Sequence, residues 1–98
     1  MYYWVIYDIS KNTARGKVAK RCRQVGLRRV QKSVFLGRLK AKVRDGLRTE
    51  FNRWVNWRTE QVFFVPMSDE EYQKITRTGA KATLKTSLLP PPQQPAVY

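Results

Sequence analysis

The sequence predicts an α+β domain in which one antiparallel sheet is backed by two helices. Three runs rich in β-branched and aromatic residues, at 2–8, 28–36 and 60–67, are typical of strands. Two amphipathic stretches, at 12–25 and 41–55, separate them and have the apolar spacing of helices. The chain has 98 residues, a length that suits one domain.

The first strand is predicted at residues 2–8, YYWVIYD. It has no polar alternation before Asp8, and a strand that is apolar on both faces must be covered on both faces. Because one helical layer covers only one face, we expect a second copy of the chain to cover the other. Asp8 then stands at the end of an apolar strand, where a bare carboxylate is costly unless something pairs with it.

The first helix is predicted at residues 12–25, with Asn12 or Thr13 as its cap and Gly26 at its end. Its apolar positions follow helical spacing, so we interpret Cys22 as a small core residue and not as a nucleophile. The stripe consists of Ala14, Val18, Cys22 and Val25.

Residues 28–36 are predicted as one second strand, in which Lys32 among apolar neighbours indicates a bend or bulge. Gly37 is interpreted as a turn into a short strand at 38–40. After the second helix, the strand at 60–67 is again apolar on both faces. Ser68 and Glu71 then have the spacing of a capping box.

A further strand is predicted at 82–89, and the segment PPPQQP at 90–95 is expected to be an extended tail. We therefore divide the chain into a domain at 1–80 and a strand with its tail at 81–98. The tail is interpreted either as a disordered end or as a docking segment for a partner. The element order gives a ferredoxin-like βαββαβ arrangement with an extra C-terminal strand.

The charge of the chain is strongly positive and unevenly divided. Lys and Arg number 20 against 7 Asp and Glu, a net charge of +13. Residues 1–58 carry 16 basic and 3 acidic side chains, whereas residues 59–98 carry four of each. A basic surface confined to one part of the chain favours a polyanion such as nucleic acid as the partner.

Composition excludes several classes of site. The chain has no histidine, which removes His-based acid–base catalysis, Ser-His-Asp and Cys-His nucleophiles, and zinc sites of the Cys/His type. Its single cysteine excludes an internal disulfide and favours a cytoplasmic setting. No apolar run reaches 18 residues and no signal peptide is evident, so no membrane span is expected.

Four segments of the chain resemble motifs of a known family. They are YDIS at 7–10, the helix with Arg15 and Lys17, GLRRVQKSVFLGRL at 26–39, and FFVP at 63–66. Together they are similar to the small CRISPR-associated adaptation nucleases, the Cas-two (Cas2) family. The resemblance covers roughly residues 2–67, and the strand predicted at 82–89 also fits the family pattern.

The resemblance implies a symmetric homodimer formed through the open face of a ferredoxin-like sheet, with the last strand often crossing to the partner protomer. It also implies that the aspartates matching Asp8 meet across the two-fold axis and hold a divalent metal, Mg²⁺ or Mn²⁺. The catalytic residues it implies are Asp8, Tyr7 and Ser33. The residues predicted to bind nucleic acid are Arg15, Lys17, Arg28, Arg29 and Phe35. For Phe35 the alternative to stacking on a base is packing in the core or in an interface.

One position departs from the family pattern. Many members have an acidic residue after S-V-F, where this chain has Leu36. If that residue assists metal binding or positions water elsewhere, it cannot do so here.

Asp8 itself admits two interpretations. It is the only acid among the first 44 residues. One carboxylate is a poor Mg²⁺ site, but two from a symmetric dimer, with water and phosphate oxygens, suit that ion. Alternatively, Asp8 caps the first helix or pairs with Arg15 or Arg29 within one protomer.

Three functions follow. The first is a CRISPR spacer-acquisition protein that binds DNA or RNA as a dimer and carries a Mg²⁺-dependent endonuclease site on paired Asp8. The second is a non-catalytic bridge that holds duplex DNA for the CRISPR integrase subunit. The third is a toxin-like endoribonuclease.

Overall fold

A computed structural model describes residues 1–75 and confirms the predicted α+β class. Its four strands form one antiparallel sheet in the order β2-β3-β1-β4. The predicted strand at 82–89 and the tail at 90–95 lie outside the described residues. The elements are β1 (Tyr2–Asp8), α1 (Asn12–Gln24), β2 (Arg28–Gln31), β3 (Val34–Arg38), α2 (Ala41–Trp54), β4 (Gln61–Met67) and α3 (Asp69–Gln73).

The single strand predicted at 28–36 is wrong, because the chain reverses direction at Lys32 and Ser33. β2 ends at Gln31, and β3 begins at Val34 and pairs back along it. The bulge expected near Lys32 is present between Arg29 and Gln31. The polar residues at 32–33 form the turn, since they can leave the sheet at little desolvation cost.

Gly37 lies inside β3 and does not form the turn predicted there. The glycine is needed because of a close approach: a Cβ at this position would stand 2.9 Å from Leu27 Cδ2 and 3.2 Å from Leu27 Cα. The segment before β2 therefore packs directly against the backbone of β3.

Helix α1 packs on the sheet as predicted, through buried Ala14, Val18 and Cys22. Burial raises the pKa of the Cys22 thiol to about 12, with opposing effects from nearby arginines, so this group is a core residue. The helix ends before Gly26, whose φ of 94° suits glycine. Its N-cap residue is Lys11, without a side-chain cap, so neither Asn12 nor Thr13 has the predicted role.

The two faces of the sheet are covered unequally. Alternate β1 residues Tyr3, Val5 and Tyr7 face α1 and α2 within the main core. Tyr2 on the opposite face is covered by α3, where its ring stacks on Tyr72 at 3.8 Å between centroids. The predicted capping box, Ser68 with Glu71, starts this short helix.

Beyond the Tyr2 cluster the middle of that second face is apolar, and no helix of residues 1–75 covers Phe63 and Val65. Phe63 is 48% exposed and Val65 is 42% exposed. The pairing register places them beside partly buried residues of β1 and β3. We call this surface the open face; it consists of Trp4, Ile6, Val34, Phe63 and Val65.

No helix within residues 1–75 is long and apolar enough to cross a membrane.

Candidate nucleic-acid and metal site

Asp8 lies at the end of β1, exposed to solvent, on the same side of the sheet as Ile6. Its cross-strand partner is Gln61. Among residues 1–75 the Asp8 carboxylate makes no hydrogen bond and no ion pair. Within the described residues an unengaged carboxylate therefore stands at the end of the interior strand β1, where the open face ends.

Within the described residues, Asp8 neither caps α1 nor pairs with Arg15 or Arg29. Arg15 donates to the Ile9 carbonyl oxygen at 3.2 Å and to the Asn12 side chain, which braces the loop after β1. Arg29 places its guanidinium 5.2 Å from the centre of the Phe35 ring. Neither arginine pairs with Asp8, and α1 has no side-chain cap.

Glu60 anchors the loop that follows Asp8, a role that sequence analysis missed. Its Oε2 accepts from the Ser10 and Lys11 backbone amides at 3.0 and 3.1 Å and from the Ser10 hydroxyl at 3.1 Å. Its Oε1 accepts from the Asn56 amide at 2.8 Å. These bonds join the β1–α1 loop to the α2–β4 loop, immediately before the start of α1.

Hydrogen bonding also changes the titration of Glu60. The Asn56 amide lowers the pKa of Glu60 most, burial opposes this, and the Lys11 and Ser10 bonds lower the pKa further. The carboxylate is therefore held in its charged form. The sequence signal is an acid immediately before a strand in a chain with few acids. Asn56 lies four residues away, but Ser10 and Lys11 lie 50 and 49 residues away and could not be inferred.

Tyr7 precedes Asp8 in the chain, and Ser33 lies across from Tyr7 on the neighbouring strand side. The two side chains differ in their exposure to solvent. The Tyr7 amide donates to the Ser33 carbonyl oxygen at 3.0 Å. The Tyr7 ring is 3% exposed and belongs to the helix-facing core. Among residues 1–75, its hydroxyl donates to the Lys32 carbonyl oxygen, at 3.5 Å. Ser33 is partly buried in the β2–β3 turn.

The residues predicted to bind nucleic acid divide into exposed cations and a buried ring. Lys17, Arg28 and Arg29 are exposed, and Arg15 is partly buried. Phe35 is fully buried, so the structure corrects its assignment: in this conformation the ring packs in the core and cannot stack on a base. Arg29 covers that ring at the surface and remains available to phosphate.

Within one protomer the donors around Asp8 are too few for a complete metal site. No group of three or more acidic, histidine or cysteine side chains occurs in residues 1–75. Both Glu60 oxygens are already engaged by the loop bonds. Asp8 thus offers one free carboxylate, which fits a Mg²⁺ ion only if a second carboxylate and phosphate or water oxygens complete the shell.

Leu36, at the position that departs from the family pattern, is fully buried against Tyr2 and Tyr72. It pairs with Trp4, four residues along β1 from Asp8. That separation is about 13 Å along a strand, so an acid there would not share a metal ion with Asp8 of the same protomer.

Comparisons with known proteins show the family to which this chain is similar. Residues 1–75 match the family model described as CRISPR associated protein Cas2. A CRISPR-associated endoribonuclease Cas2 of Archaeoglobus fulgidus is 34% identical over 67 residues, covering 68% of this chain and 71% of that protein.

A CRISPR-associated endonuclease Cas1/endonuclease Cas2 fusion of Thermoproteus tenax is 33% identical over 96 residues. The match covers 98% of this chain but only 32% of the fusion. The crystal structure of Streptococcus pyogenes Cas2 superposes with a TM-score of 0.71 at 21% identity, covering 81% of this chain and 100% of that chain. At this identity the structural likeness concerns the fold alone.

Proposed function

The chain belongs to the CRISPR-associated Cas2 family, and from this premise we propose that it binds nucleic acid as a symmetric homodimer and cleaves it with a divalent metal held by paired Asp8. The proposal makes the protein a Mg²⁺- or Mn²⁺-dependent endonuclease of CRISPR adaptation. RNA is the first substrate to test, because relatives of this chain are named endoribonucleases.

The observation that carries the proposal is the free Asp8 carboxylate at the margin of the open face. Exposed Phe63 and Val65 lie on the same side of the sheet as Asp8. Contiguous exposed apolar surface favours association with another protein surface. Two-fold association through this face, with the axis near the end of β1, brings two Asp8 side chains together.

Paired carboxylates explain why Asp8 is left unengaged. Without metal the two charges repel each other, and a divalent cation removes that repulsion. When bound, the metal polarises the scissile phosphate and lowers the pKa of a coordinated water. Asp8 holds the ion, and the Glu60 bonds hold the loop that immediately follows Asp8.

The basic side chains supply affinity for the phosphate backbone. Lys17, Arg28 and Arg29 are exposed, and the charge of +13 favours polyanions in general. Such contacts position a strand without reading its sequence. We therefore expect little sequence preference.

The test compares metal-stripped wild type with Asp8→Asn on labelled single-stranded RNA and duplex DNA, with and without Mg²⁺. Asp69→Asn is the matched control, because Asp69 is an exposed acid that pairs with Arg38 at the other end of the sheet. We expect wild type and Asp69→Asn to cleave only with Mg²⁺, and Asp8→Asn to bind equally without cleaving.

Self-association gives a readout that does not depend on cleavage. Mg²⁺ should tighten the wild-type dimer by relieving Asp8 repulsion, whereas Asp8→Asn should dimerise well without it. Equal cleavage by wild type and Asp8→Asn, or a metal-independent dimer in both, would contradict the metal site.

A second candidate function is a non-catalytic bridge that holds DNA for the CRISPR integrase. The observation favouring it is the Thermoproteus tenax relative, in which Cas1 and Cas2 are one polypeptide. In this function Asp8→Asn leaves spacer integration intact. Co-elution with the Cas1 protein of the same genome, combined with no cleavage by any variant, would favour the bridge over the nuclease.

A further inference from the structure

An exposed tryptophan in the loop between α2 and β4 is not used by the proposed function. Trp57 is 72% exposed, more than any other large hydrophobic side chain of residues 1–75. It lines a groove of about 670 Å³ together with Phe51 and Phe64, which stack on each other in the main core. The indole therefore lies on the side of the sheet that α1 and α2 cover, and association of two copies through the open face would leave it accessible.

The loop that carries Trp57 is joined to the loop that follows Asp8. One oxygen of the Glu60 carboxylate accepts from the Asn56 amide at 2.8 Å, immediately before Trp57. The other oxygen accepts from the Ser10 amide at 3.0 Å, two residues after Asp8. The indole is therefore presented by a braced loop at the end of the sheet where Asp8 stands.

A cation lies against one face of the indole. The Arg58 guanidinium is 5.0 Å from the centre of the Trp57 ring. The Arg58 amide donates to the Asn56 side chain at 3.1 Å, which fixes the backbone of the pair. A guanidinium held on an indole is stabilised by the electrons of the ring. At 72% exposure the ring still offers surface on which a second planar group can stack.

The cations near this loop have no acidic partner within the described residues. Arg48 lines the same groove as Trp57, and Arg53 lies in the last turn of α2. Neither of them, nor Arg58, forms an ion pair among residues 1–75. The acids at 45–60 already have partners, which are Arg44 for Asp45, Arg21 for Glu50 and backbone amides for Glu60. The end of α2 and its loop therefore carry positive charge that suits phosphate groups.

We propose that Trp57 stacks on an unpaired base, which makes single-stranded nucleic acid the ligand at this end of the molecule. The inference rests on the proposed function in that nucleic acid is the ligand, but it requires neither a metal nor cleavage. Proteins that bind single strands combine cations for the phosphates with aromatic rings for the bases. Lys17, one of the cations predicted to bind nucleic acid, reaches the same end of α2, with its Nζ 5.6 Å from the centre of the Trp54 ring.

A single strand suits this site better than a duplex or a protein surface. Bases of a duplex are already stacked and paired, so presenting one to Trp57 costs the energy of opening the helix. A protein surface would bury Arg48 and Arg58 without an acid of this chain to pair them, and burial of an unpaired charge is costly. Phosphates supply the anions, and any base can stack, which agrees with the little sequence preference expected.

The test measures binding of three labelled ligands in the presence of EDTA: a short single strand, the same strand with abasic sugars, and the corresponding duplex. Trp57→Ala should weaken binding of the single strand about tenfold, the effect of losing one stacked base. It should weaken binding of the abasic strand and the duplex by no more than about twofold, because their phosphate contacts are unchanged. Trp57→Phe should keep most of the affinity for the single strand, since a phenyl ring also stacks.

Two controls support the comparison. Val43→Ala removes exposed apolar surface at the beginning of α2, outside the groove lining, and should change no affinity. Tryptophan fluorescence should be quenched when the single strand binds to the wild type, and this quenching should be lost in Trp57→Phe, because Trp4 and Trp54 are partly buried. Circular dichroism would verify that each variant is folded.

Equal affinity of wild type and Trp57→Ala for the single strand would overturn the proposal. Equal weakening for all three ligands would overturn it as well, because the tryptophan would then support the fold or the backbone contacts and not a base. Neither outcome depends on metal or on cleavage at Asp8. A wild-type protein that binds none of the three ligands would instead refute the proposed function itself, and this inference with it.

Discussion

Replacing Phe63 by alanine should weaken self-association of this protein without unfolding it. Phe63 points away from both helices and lies on the open face beside Ile6, its partner in the pairing of β1 with β4. It is 48% exposed, so its removal leaves the main core intact. The proposed dimer buries this ring twice, once from each protomer.

The size of the effect follows from that exposure. Complete burial of a phenylalanine side chain contributes about 1.5–3 kcal/mol. Since half of Phe63 is still accessible in the protomer, burying the remainder in both copies should contribute about 1.4–3 kcal/mol to the dimer. This corresponds to an increase in the dissociation constant of about ten- to a hundredfold.

Sedimentation equilibrium over a range of protein concentrations measures this constant directly. Val43→Ala, at an exposed position on α2, is the control for removing apolar surface elsewhere. Thermal unfolding should report folded protein for both variants. Cleavage by Phe63→Ala should also become dependent on protein concentration and recover when the protein is concentrated enough to dimerise.

An unchanged dissociation constant for Phe63→Ala would refute the assignment of the open face as the interface. A wild-type protein that stays monomeric at micromolar concentration would refute it more broadly. In that case two Asp8 carboxylates could not meet, and the proposed metal site would fail as well.

Three other predictions concern stability and binding. Glu60→Gln should lower the free energy of unfolding at neutral pH. The pKa of Glu60 in the folded protein lies below its ordinary value of 4.5, so the charged carboxylate stabilises the fold. This stabilisation is complete above pH 4.5 and is lost as the pH falls through the lowered pKa. Urea unfolding curves of the two proteins should therefore converge in acid, and a constant difference would contradict the role of the charge. Gly37→Ala should destabilise by about 1–3 kcal/mol, because its Cβ would collide with Leu27. Gly16→Ala, in an open helical position, should stabilise by up to about 1 kcal/mol, and equal effects would contradict the steric argument. If the four cations predicted to bind each meet one phosphate, affinity should fall roughly a hundredfold between 50 and 200 mM salt in a filter-binding assay, and a flat dependence would exclude backbone binding.

Much of the fold could be predicted because its signals are local. The strand at residues 2–8 and the helices at 12–25 and 41–55 agree with β1, α1 and α2 to within one residue at either end. Their apolar periodicity is a property of consecutive residues. The division of 28–36 into two strands was missed, because alternation continues across the turn at Lys32 and Ser33 and hides the reversal.

The candidate site was predictable only in part. Asp8 stands out in the sequence because it ends an apolar strand, and among residues 1–75 its carboxylate has no hydrogen bond and no ion pair. Tyr7 was grouped with it, although neighbours on a strand point to opposite faces, and its ring lies in the core. Phe35 is among the residues predicted to bind nucleic acid, but the structure buries its ring in the main core, which agrees with the packing alternative.

The sequence by itself determined the element types, the alternation of faces along β1, the excess of positive charge and the exclusion of histidine chemistry. Each of these depends only on residue identity and short-range spacing. Only the tertiary structure decided which face α1 and α2 cover, where Phe63 and Val65 remain exposed, and how Glu60 joins two loops. These features depend on contacts between residues far apart in the chain, and no local pattern specifies which distant partner a strand or a carboxylate will meet.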